Sequence, residues 1–507
     1  MMLTKIKPQG SDYCLGIRHA ARRASRQFSF RRISFNCSLL LDNKDPNNKK
    51  LWGDVVAQAF PIEKLVDDQK IDGFNINLLI WSFLAMFGDG YDISALSFAA
   101  PELVRDWHLE SASLGPAFSA SLFGILFGAP LLGYFGDRFG RKPAIISGCV
   151  IYGLCTLAIV WTGNLHQVIV LRFLTGIGIG GLLPNTIALN SELSPKRFRA
   201  TLTVLMFTGI TLGSGMPSVI SAWLLPLYGW EILFIVGGLV PLLVAFGLVF
   251  ALPESVKYLA QFPSKRGELL KVARKMRKDL VIEDDAVLHI APAPPGSGVG
   301  MAAIFSGGLA FITPLLWLCF GTALMANYFL NSWMPLLFES NGVPPQQAAI
   351  ATGFYHVGGT LGGILISVLL DRFGVIVIAT LFALACPVVA AIGIENLPFS
   401  LLTLMTTLAG VTVLGAQFGN NACAGLLYPT TFRSKGVGWA FAIGRFGSIA
   451  GPLLGGVLIG MKLPMQTLFL AGAVPMLAGT IAAALLARFC YVRFGSLQLD
   501  DVPGKQT

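Results

Sequence analysis

Asp137-Arg138-Phe139-Gly140 returns 234 residues later as Asp371-Arg372-Phe373-Gly374, and that recurrence decides the fold. The same offset carries Gly124 and Gly128 to Gly358 and Gly362, Gly176 and Gly181 to Gly410 and Gly415, and Gly213 to Gly447. It carries Pro195, Phe198 and Arg199 to Pro429, Phe432 and Arg433, and Val240-Pro241 to Val474-Pro475. Glycine pairs match easily in a chain with 57 glycines. A four-residue polar match in register with Pro-x-x-Phe-Arg does not arise so easily. One long offset recovering many matches marks a duplicated unit.

Between the matched residues lie long apolar runs. The 507 residues are 54% hydrophobic and 13% charged, whereas soluble domains carry about 25% charge. Runs of about 20 apolar residues can each cross a hydrocarbon core of about 30 Å. Twelve are read, near 75–99, 113–135, 143–162, 167–191, 200–225, 231–252, 309–338, 347–369, 375–394, 399–424, 435–458 and 465–488. They are too long and too continuously apolar for barrel strands, so each is expected to be a helix. Six spans per repeat is an even number, so the halves share one topology about an axis along the membrane normal. Parallel repeats of this kind are a common carrier design, with the substrate held between the halves near mid-membrane.

The expected fold is therefore an all-α membrane protein of twelve transmembrane helices in two six-helix bundles. The expected units are a basic tail over 1–65, bundles over 66–253 and 304–490, a linker over 254–303 and a tail over 491–507. Basic residues gather after even-numbered spans: Arg138, Arg141 and Lys142; Lys196, Arg197 and Arg199; Arg372; Arg433 and Lys435. The linker is also Lys- and Arg-rich, and is expected to hold a short amphipathic helix before the Pro/Gly segment Ala291 to Gly300. This one-sided bias places those loops and both termini in the cytoplasm.

Of the net charge of +10, residues 1–50 contribute +8, from eleven Lys or Arg and three Asp. The charge is thus a feature of one terminus and not a surface for nucleic acid. Ile17 to Ser38 is Arg- and Ser-rich, as transit peptides are, but composition is the only signal, and a disordered tail or an over-early start codon is the preferred reading. The eight cysteines show no metal-ligand spacing, and most lie in apolar runs as small hydrophobes. No metal or cofactor is expected. Gly176-Ile-Gly178-Ile-Gly180-Gly181 has a GxGxxG spacing, but it falls inside a span. Small residues there serve close helix packing rather than a dinucleotide.

Gly133-x-x-Gly136-Asp137-Arg138-x-Gly140-Arg141-Lys142 resembles the loop signature of the major facilitator superfamily, and Arg172-x-x-x-Gly176-x-Gly178 resembles its fourth-span motif. Asp89-Gly90-Tyr91-Asp92 with Ala100-Pro101 is similar to the aromatic acid:proton symporters. So are Pro184-Asn185 and Gly438-Trp439 followed by Gly444-Arg445 and Gly451-Pro452. The resemblance covers about residues 66–490 and implies a proton-coupled importer of benzoate-type acids in the cell inner membrane, working as a monomer with lipid, protons and a small aromatic acid as its partners.

Asp89 and Asp92 lie three residues apart inside the first span, on one helix face. A charge at mid-bilayer costs at least about 2.5–3.5 kcal/mol, so such residues are read as functional. Both could instead cap a break beside Gly88 and Gly90. The resemblance implies a proton-coupling role for them. Arg172 in the fourth span comes to similar depth as Asp92. The pair could be a switch released by protonation, or a permanent tie between two helices. The loop charges Asp137, Arg138, Arg141, Glu192 and Arg199, with Gly133, Gly140 and the repeat residues Asp371, Arg372 and Arg433, are read as a gating latch. The second copy lacks the basic pair after Gly374, so the latch is expected to be asymmetric. In the second half, Asn327, Asn331, Trp333, Tyr355, His356, Gln417, Asn420 and Arg445 are the polar and aromatic groups available to a flat acid. Gln417 and Asn420 are read on one face, and Arg445 as the cation for a carboxylate.

Nothing in the chain suggests an enzyme or a nucleotide-driven pump. A sugar porter of the same superfamily is the nearest rival, because Pro253-Glu254-Ser255-x-Lys257-Tyr258-Leu259 resembles the sugar-porter sequence after the sixth span. A non-transporting receptor would want a soluble signalling domain, and the tail after Arg488 is too short for one.

Overall fold

In a computed structural model, residues 59–278, 287–289, 304–306, 309–428 and 433–494 are described. The expectations for residues 1–50, for Ala291 to Gly300 and for Pro429 and Phe432 lie outside them. Twelve long helices dominate. The first six are α1 (Gly73–Asp106), α2 (Leu114–Phe139), α3 (Arg141–Ala158), α4 (Leu165–Leu193), α5 (Lys196–Trp223) and α6 (Glu231–Ala251). The second six are α7 (Leu309–Ser340), α8 (Pro345–Phe373), α9 (Ile376–Ile392), α10 (Phe399–Leu427), α11 (Arg433–Gly460) and α12 (Met465–Phe494). Ten of them are long and apolar enough to cross a bilayer. Of the other two, α9 is apolar but short, and α1 has its apolar character diluted by Asp89 and Asp92. The strands among the described residues are two three-residue pieces, Ala59–Pro61 and Val287–His289.

Local chemistry sets the helix ends. Asp72 caps α1 by accepting from the Phe74 N–H at 2.9 Å, and Asn164 caps α4 by accepting from Gln167 at 3.0 Å. Gly140 (φ +115°) and Gly374 (φ +68°) end α2 and α8 in backbone that L side chains rarely adopt. That requirement explains why both copies of the four-residue match finish in glycine. Ahead of α1, the short helix Ile62–Asp67 buries Ile62, Leu65 and Val66. The packed chain thus begins before the boundary drawn at residue 66, because an i, i+3, i+4 apolar face needs only one turn.

The glycine repeats are packing repeats. Gly124 meets the Phe173 carbonyl on α4, and Gly358 meets the Thr407 carbonyl on α10. Gly128 meets Ile177, and Gly362 meets Val411. Gly176 meets Ser121, and Gly410 meets Tyr355; Gly213 meets Phe87, and Gly447 meets Gly321. Every partner is shifted by the same 234 residues as the glycine itself. The halves therefore share a helix-packing plan, with glycines letting backbones touch. Gly176 to Gly181 packs α4 against α2 and α3 in the same way.

An added methyl at Gly176 would meet α2 backbone, whereas one at Gly133 meets nothing within 4 Å. Overpacking costs about 1–3 kcal/mol, more than the up to about 1 kcal/mol gained by replacing a helical glycine with alanine. Gly176→Ala is thus expected to lower the thermal unfolding midpoint of the purified protein, and Gly133→Ala to hold or raise it. The reverse order would refute this account of the stripe.

Between the halves, α5 packs on α8, α2 on α11 and α1 on α7. The first two contacts are images of each other under the repeat, and the third maps onto itself. At the far end of α1 and α7, Arg105 pairs with Glu339 at 3.2 Å, and these two residues are themselves 234 apart. Repeat-related residues can touch only on the pseudo-two-fold axis. Opposite charges stand there, and Glu102 also holds Arg105 at 2.6 Å. Ser94 Oγ donates to Asn331 Oδ1 at 3.1 Å, and Ser119 Oγ to the Ile449 carbonyl at 2.9 Å. These bridges lie from mid-helix toward the end opposite the Asp137 loop.

Candidate functional site

A cavity of about 120 Å3 lies between the halves at mid-helix, somewhat smaller than the roughly 150 Å3 cavity that can take up benzene. From the first half, α1 supplies Asp89 and Ile93, α4 supplies Leu183, and α5 supplies Phe207, Ile210, Thr211 and Ser214. From the second half come Asn327, Tyr328 and Asn331 on α7, His356 on α8, Gln417, Phe418 and Asn421 on α10, and Phe441 and Arg445 on α11. Four rings, those of Phe207, Tyr328, Phe418 and Phe441, thus share a small chamber with one guanidinium. Sequence reasoning missed these rings. Among 36 phenylalanines nothing marks three of them, although Phe418 stands beside Gln417.

The two first-span acids have different surroundings. Asp89 lines the cavity, its Oδ1 buried without a hydrogen-bond partner, and interacts electrostatically with Arg445 across the chamber. Asp92 is fully buried on the other side. Its Oδ2 accepts from Arg172 Nη1 at 2.7 Å, its Oδ1 accepts from Thr156 Oγ1 at 2.6 Å, and its carbonyl accepts a further Arg172 bond at 3.1 Å. Arg172 is itself only 2% exposed. This pair ties α1, α3 and α4 together and does not reach the cavity.

In the second half, several polar atoms in the cavity wall are buried without protein partners: His356 Nε2, Gln417 Oε1 and Asn421 Oδ1. Such groups cost free energy unless something hydrogen-bonds to them. Arg445 stands against the Tyr328 hydroxyl. Three expected contacts fall elsewhere. Trp333 is fully buried; its Nε1 donates to the Pro452 carbonyl at 3.1 Å and its ring meets Phe118 edge-on. Tyr355 lies behind the wall, where its hydroxyl donates to Asn327 Oδ1 at 2.7 Å and so orients Asn327. Asn420 is fully buried outside the lining, and Asn421 takes the place beside Gln417. Successive helix residues turn by about 100°, so i+3 and i+4 neighbours diverge in opposite senses. Here the i+4 residue points inward.

The family model of the Major Facilitator Superfamily matches residues 82–318 and 316–493. The chain belongs to the major facilitator superfamily. It is 35% identical over 434 residues to the 4-hydroxybenzoate transporter PcaK of Pseudomonas aeruginosa, covering 85% of this chain and 96% of that one. It is 34% identical over 434 residues to the gallate transporter of Pseudomonas putida, covering 84% and 95%. Among solved structures, the inward-open xylose transporter XylE from E. coli shares the fold at a TM-score of 0.62 and 18% identity, over 84% of this chain and 99% of that one. These relatives are transporters rather than enzymes.

The facilitator's signature loop forms a network within the first half. Arg141 Nη2 pairs with Asp137 at 2.6 Å and reaches Glu192 at 3.9 Å, while its Nη1 donates to Asn185 Oδ1 at 3.3 Å. Asn185 in turn donates to the Leu132 and Gly181 carbonyls, joining α2 to α4. Ser255 donates to Glu192. Sequence reasoning did not assign Glu254 to this network. It accepts from the Arg141, Lys142 and Ser255 backbone N–H groups. Burial still holds the Glu254 carboxyl above its usual range, against the pull of those donors and of Lys265.

Three other expected latch residues make hydrogen bonds elsewhere. Arg138 donates to Tyr134, Arg199 to the Ser194 carbonyl and Arg433 to the Tyr428 carbonyl. Arg372 stacks on Phe373 at 5.2 Å, and the Asp371 side chain lies outside the described residues.

Proposed function

We propose that this facilitator imports single-ring aromatic carboxylates together with protons by alternating access. The observation that carries the reading is the cavity itself. A guanidinium, four aromatic rings and unpartnered amide and imidazole groups converge in a space the size of one small ring. Arginine binds a carboxylate through paired, charge-assisted hydrogen bonds. Aromatic walls stack on a flat substrate. A neutral sugar would offer no charge for Arg445. The relatives named for 4-hydroxybenzoate and gallate support the same class.

Charge balance supplies the coupling. Asp89 and an entering carboxylate would share one cation, Arg445, in a space of low dielectric. One negative charge is then left over, and a proton on Asp89 removes it. The loaded state carries substrate and proton together, and the neutralised site lets the halves rock past each other. Asp92 and Arg172, already paired, serve in this reading as the fixed base against which Asp89 works. The one-sided basic loops support an orientation with the Asp137 network and both termini in the cytoplasm, the protein lying in the cell inner membrane. The bridges at Arg105, Ser94 and Ser119 then close the outer side, and the substrate leaves inward. A single chain contains both halves and the whole cavity, so a monomer suffices.

Uptake of radiolabelled 4-hydroxybenzoate, gallate and benzoate into proteoliposomes under an imposed pH gradient tests this. Accumulation of at least one acid is expected, and failure with all three sinks the substrate class. Hydrogen bonds to charged groups are worth about 1.5–3 kcal/mol. Arg445→Gln should therefore weaken apparent affinity roughly 10- to 100-fold. An unchanged KM would release Arg445 from its assigned role.

A further inference from the structure

A second and larger recess, of about 1120 Å3, lies at the loop end of the first half, away from the central cavity. Its floor is apolar: Ile146 and Val150 on α3, Phe250 and Leu252 at the end of α6, and Phe139. Phe250 is 74% exposed and Phe139 50%, so the floor continues onto the lipid-facing surface. From Lys142 at its rim to Val150 is about 12 Å along α3 at 1.5 Å per residue. The recess thus runs from the water interface to the depth of acyl chains.

The rim is basic. Lys142, Lys265, Lys271, Lys275 and Lys278 line it, against Glu254 and Glu268. Glu254 is already taken up by the three backbone N–H groups of the loop. Lys278 pairs with Asp72 at 3.4 Å, and Lys265 lies over the Tyr258 ring at 4.6 Å. Lys142 donates to the Val249 carbonyl at 2.6 Å. Lys271 and Lys275 remain exposed, one turn apart on the short helix Arg266–Met276, with no ion pair among the described residues. That helix buries Leu269, Leu270, Ala273 and Met276, which fixes its lysine face toward the recess. Across it Lys275 repels Lys142, while Glu254 and Glu268 attract it. An anion placed between the two lysines would relieve that repulsion.

We propose that this recess binds an anionic membrane phospholipid, with its phosphate between Lys271, Lys275 and Lys142 and an acyl chain along Ile146, Val150 and Phe250. The bilayer supplies such lipids at this depth, and basic pockets at the cytoplasmic interface attract them. A soluble phosphate would use the rim but leave the apolar floor without a purpose. The bound lipid clamps the linker helix to α3 and α6, next to the Asp137 network.

Native mass spectrometry of the full chain, released from detergent containing equimolar phosphatidylglycerol and phosphatidylcholine, tests the proposal. The wild type is expected to retain one phosphatidylglycerol about tenfold over phosphatidylcholine. The double variant Lys271→Gln/Lys275→Gln should retain both lipids alike. These side chains are exposed, so the variant should fold, and an unchanged gel-filtration profile checks that. Val150→Trp, which fills the floor, should reduce phosphatidylglycerol retention with the lysines intact. Equal retention of both lipids by the wild type, or an unchanged preference in the double variant, would overturn the site. Displacement of the lipid by equimolar glycerol phosphate would overturn its acyl half.

Discussion

Asp89→Asn is expected to abolish accumulation against a gradient while leaving substrate exchange intact. Asparagine has the shape of the protonated acid but cannot release a proton. Arg445 then stays available to the substrate carboxylate at every pH. A pH difference of one unit supplies about 1.4 kcal/mol per proton, a tenfold accumulation at one proton per substrate. Wild-type vesicles should show that accumulation, and Asp89→Asn vesicles should stop near an internal-to-external ratio of one. Counterflow of labelled against unlabelled substrate, which moves no net proton, should continue in the variant. Wild-type accumulation by Asp89→Asn would remove this residue from coupling. Loss of counterflow as well would point to binding instead.

Separating Asp92 from Arg172 should have the largest effect on stability. Each partner is buried, and the pair is held by the Thr156 hydroxyl and the Asp92 carbonyl as well as by charge. Removing one partner of a buried pair costs about 3–5 kcal/mol, because the other charge is left without compensation. Total folding stabilities run to about 5–15 kcal/mol. Arg172→Ala and Asp92→Asn should therefore yield little monodisperse protein and a strongly lowered unfolding midpoint. The double variant Asp92→Asn/Arg172→Gln removes both charges and should recover most of the loss. A double variant as unstable as the singles would show that shape, not charge, is what the site requires. A fully stable Arg172→Ala would show that the pair is not a tie at all, and would return it to the coupling machinery.

The two predictions separate residues that sequence reasoning had grouped together. Asp89 and Asp92 share a helix face by spacing, and both are acids inside a span. Three residues along a helix still leave about 60° between them. That angle is enough to turn one carboxyl toward the cavity and the other toward α3 and α4. Nothing in the local pattern says which neighbour stands at which angle.

The same distinction runs through the second half. Spacing put polar groups inside α7, α8, α10 and α11. It did not tell that Tyr355 would orient Asn327 from behind, that Trp333 would seal against Pro452, or that Asn421 would replace Asn420 in the wall. The charged loop carried by the repeat was legible, and its Arg141 does reach Asp137 and Glu192. Glu254 escaped notice because its partners are backbone N–H groups, which leave no trace in side-chain patterning.

What the sequence by itself determined is the duplicated architecture. Apolar runs long enough to span lipid must be helices, and the 234-residue offset had to reappear as packing, because a repeated glycine needs a repeated backbone contact. The same offset also separates Arg105 from Glu339, but that these two meet on the pseudo-two-fold axis is seen only in the structure. What only the tertiary structure decided is which side chains face each other across distant helices. Periodicity gives the angle of a residue about its own helix axis, and the identity of the neighbour at that angle depends on helices hundreds of residues away. The different surroundings of Asp92, paired with Arg172, and of Asp89, facing the cavity, are set at that level.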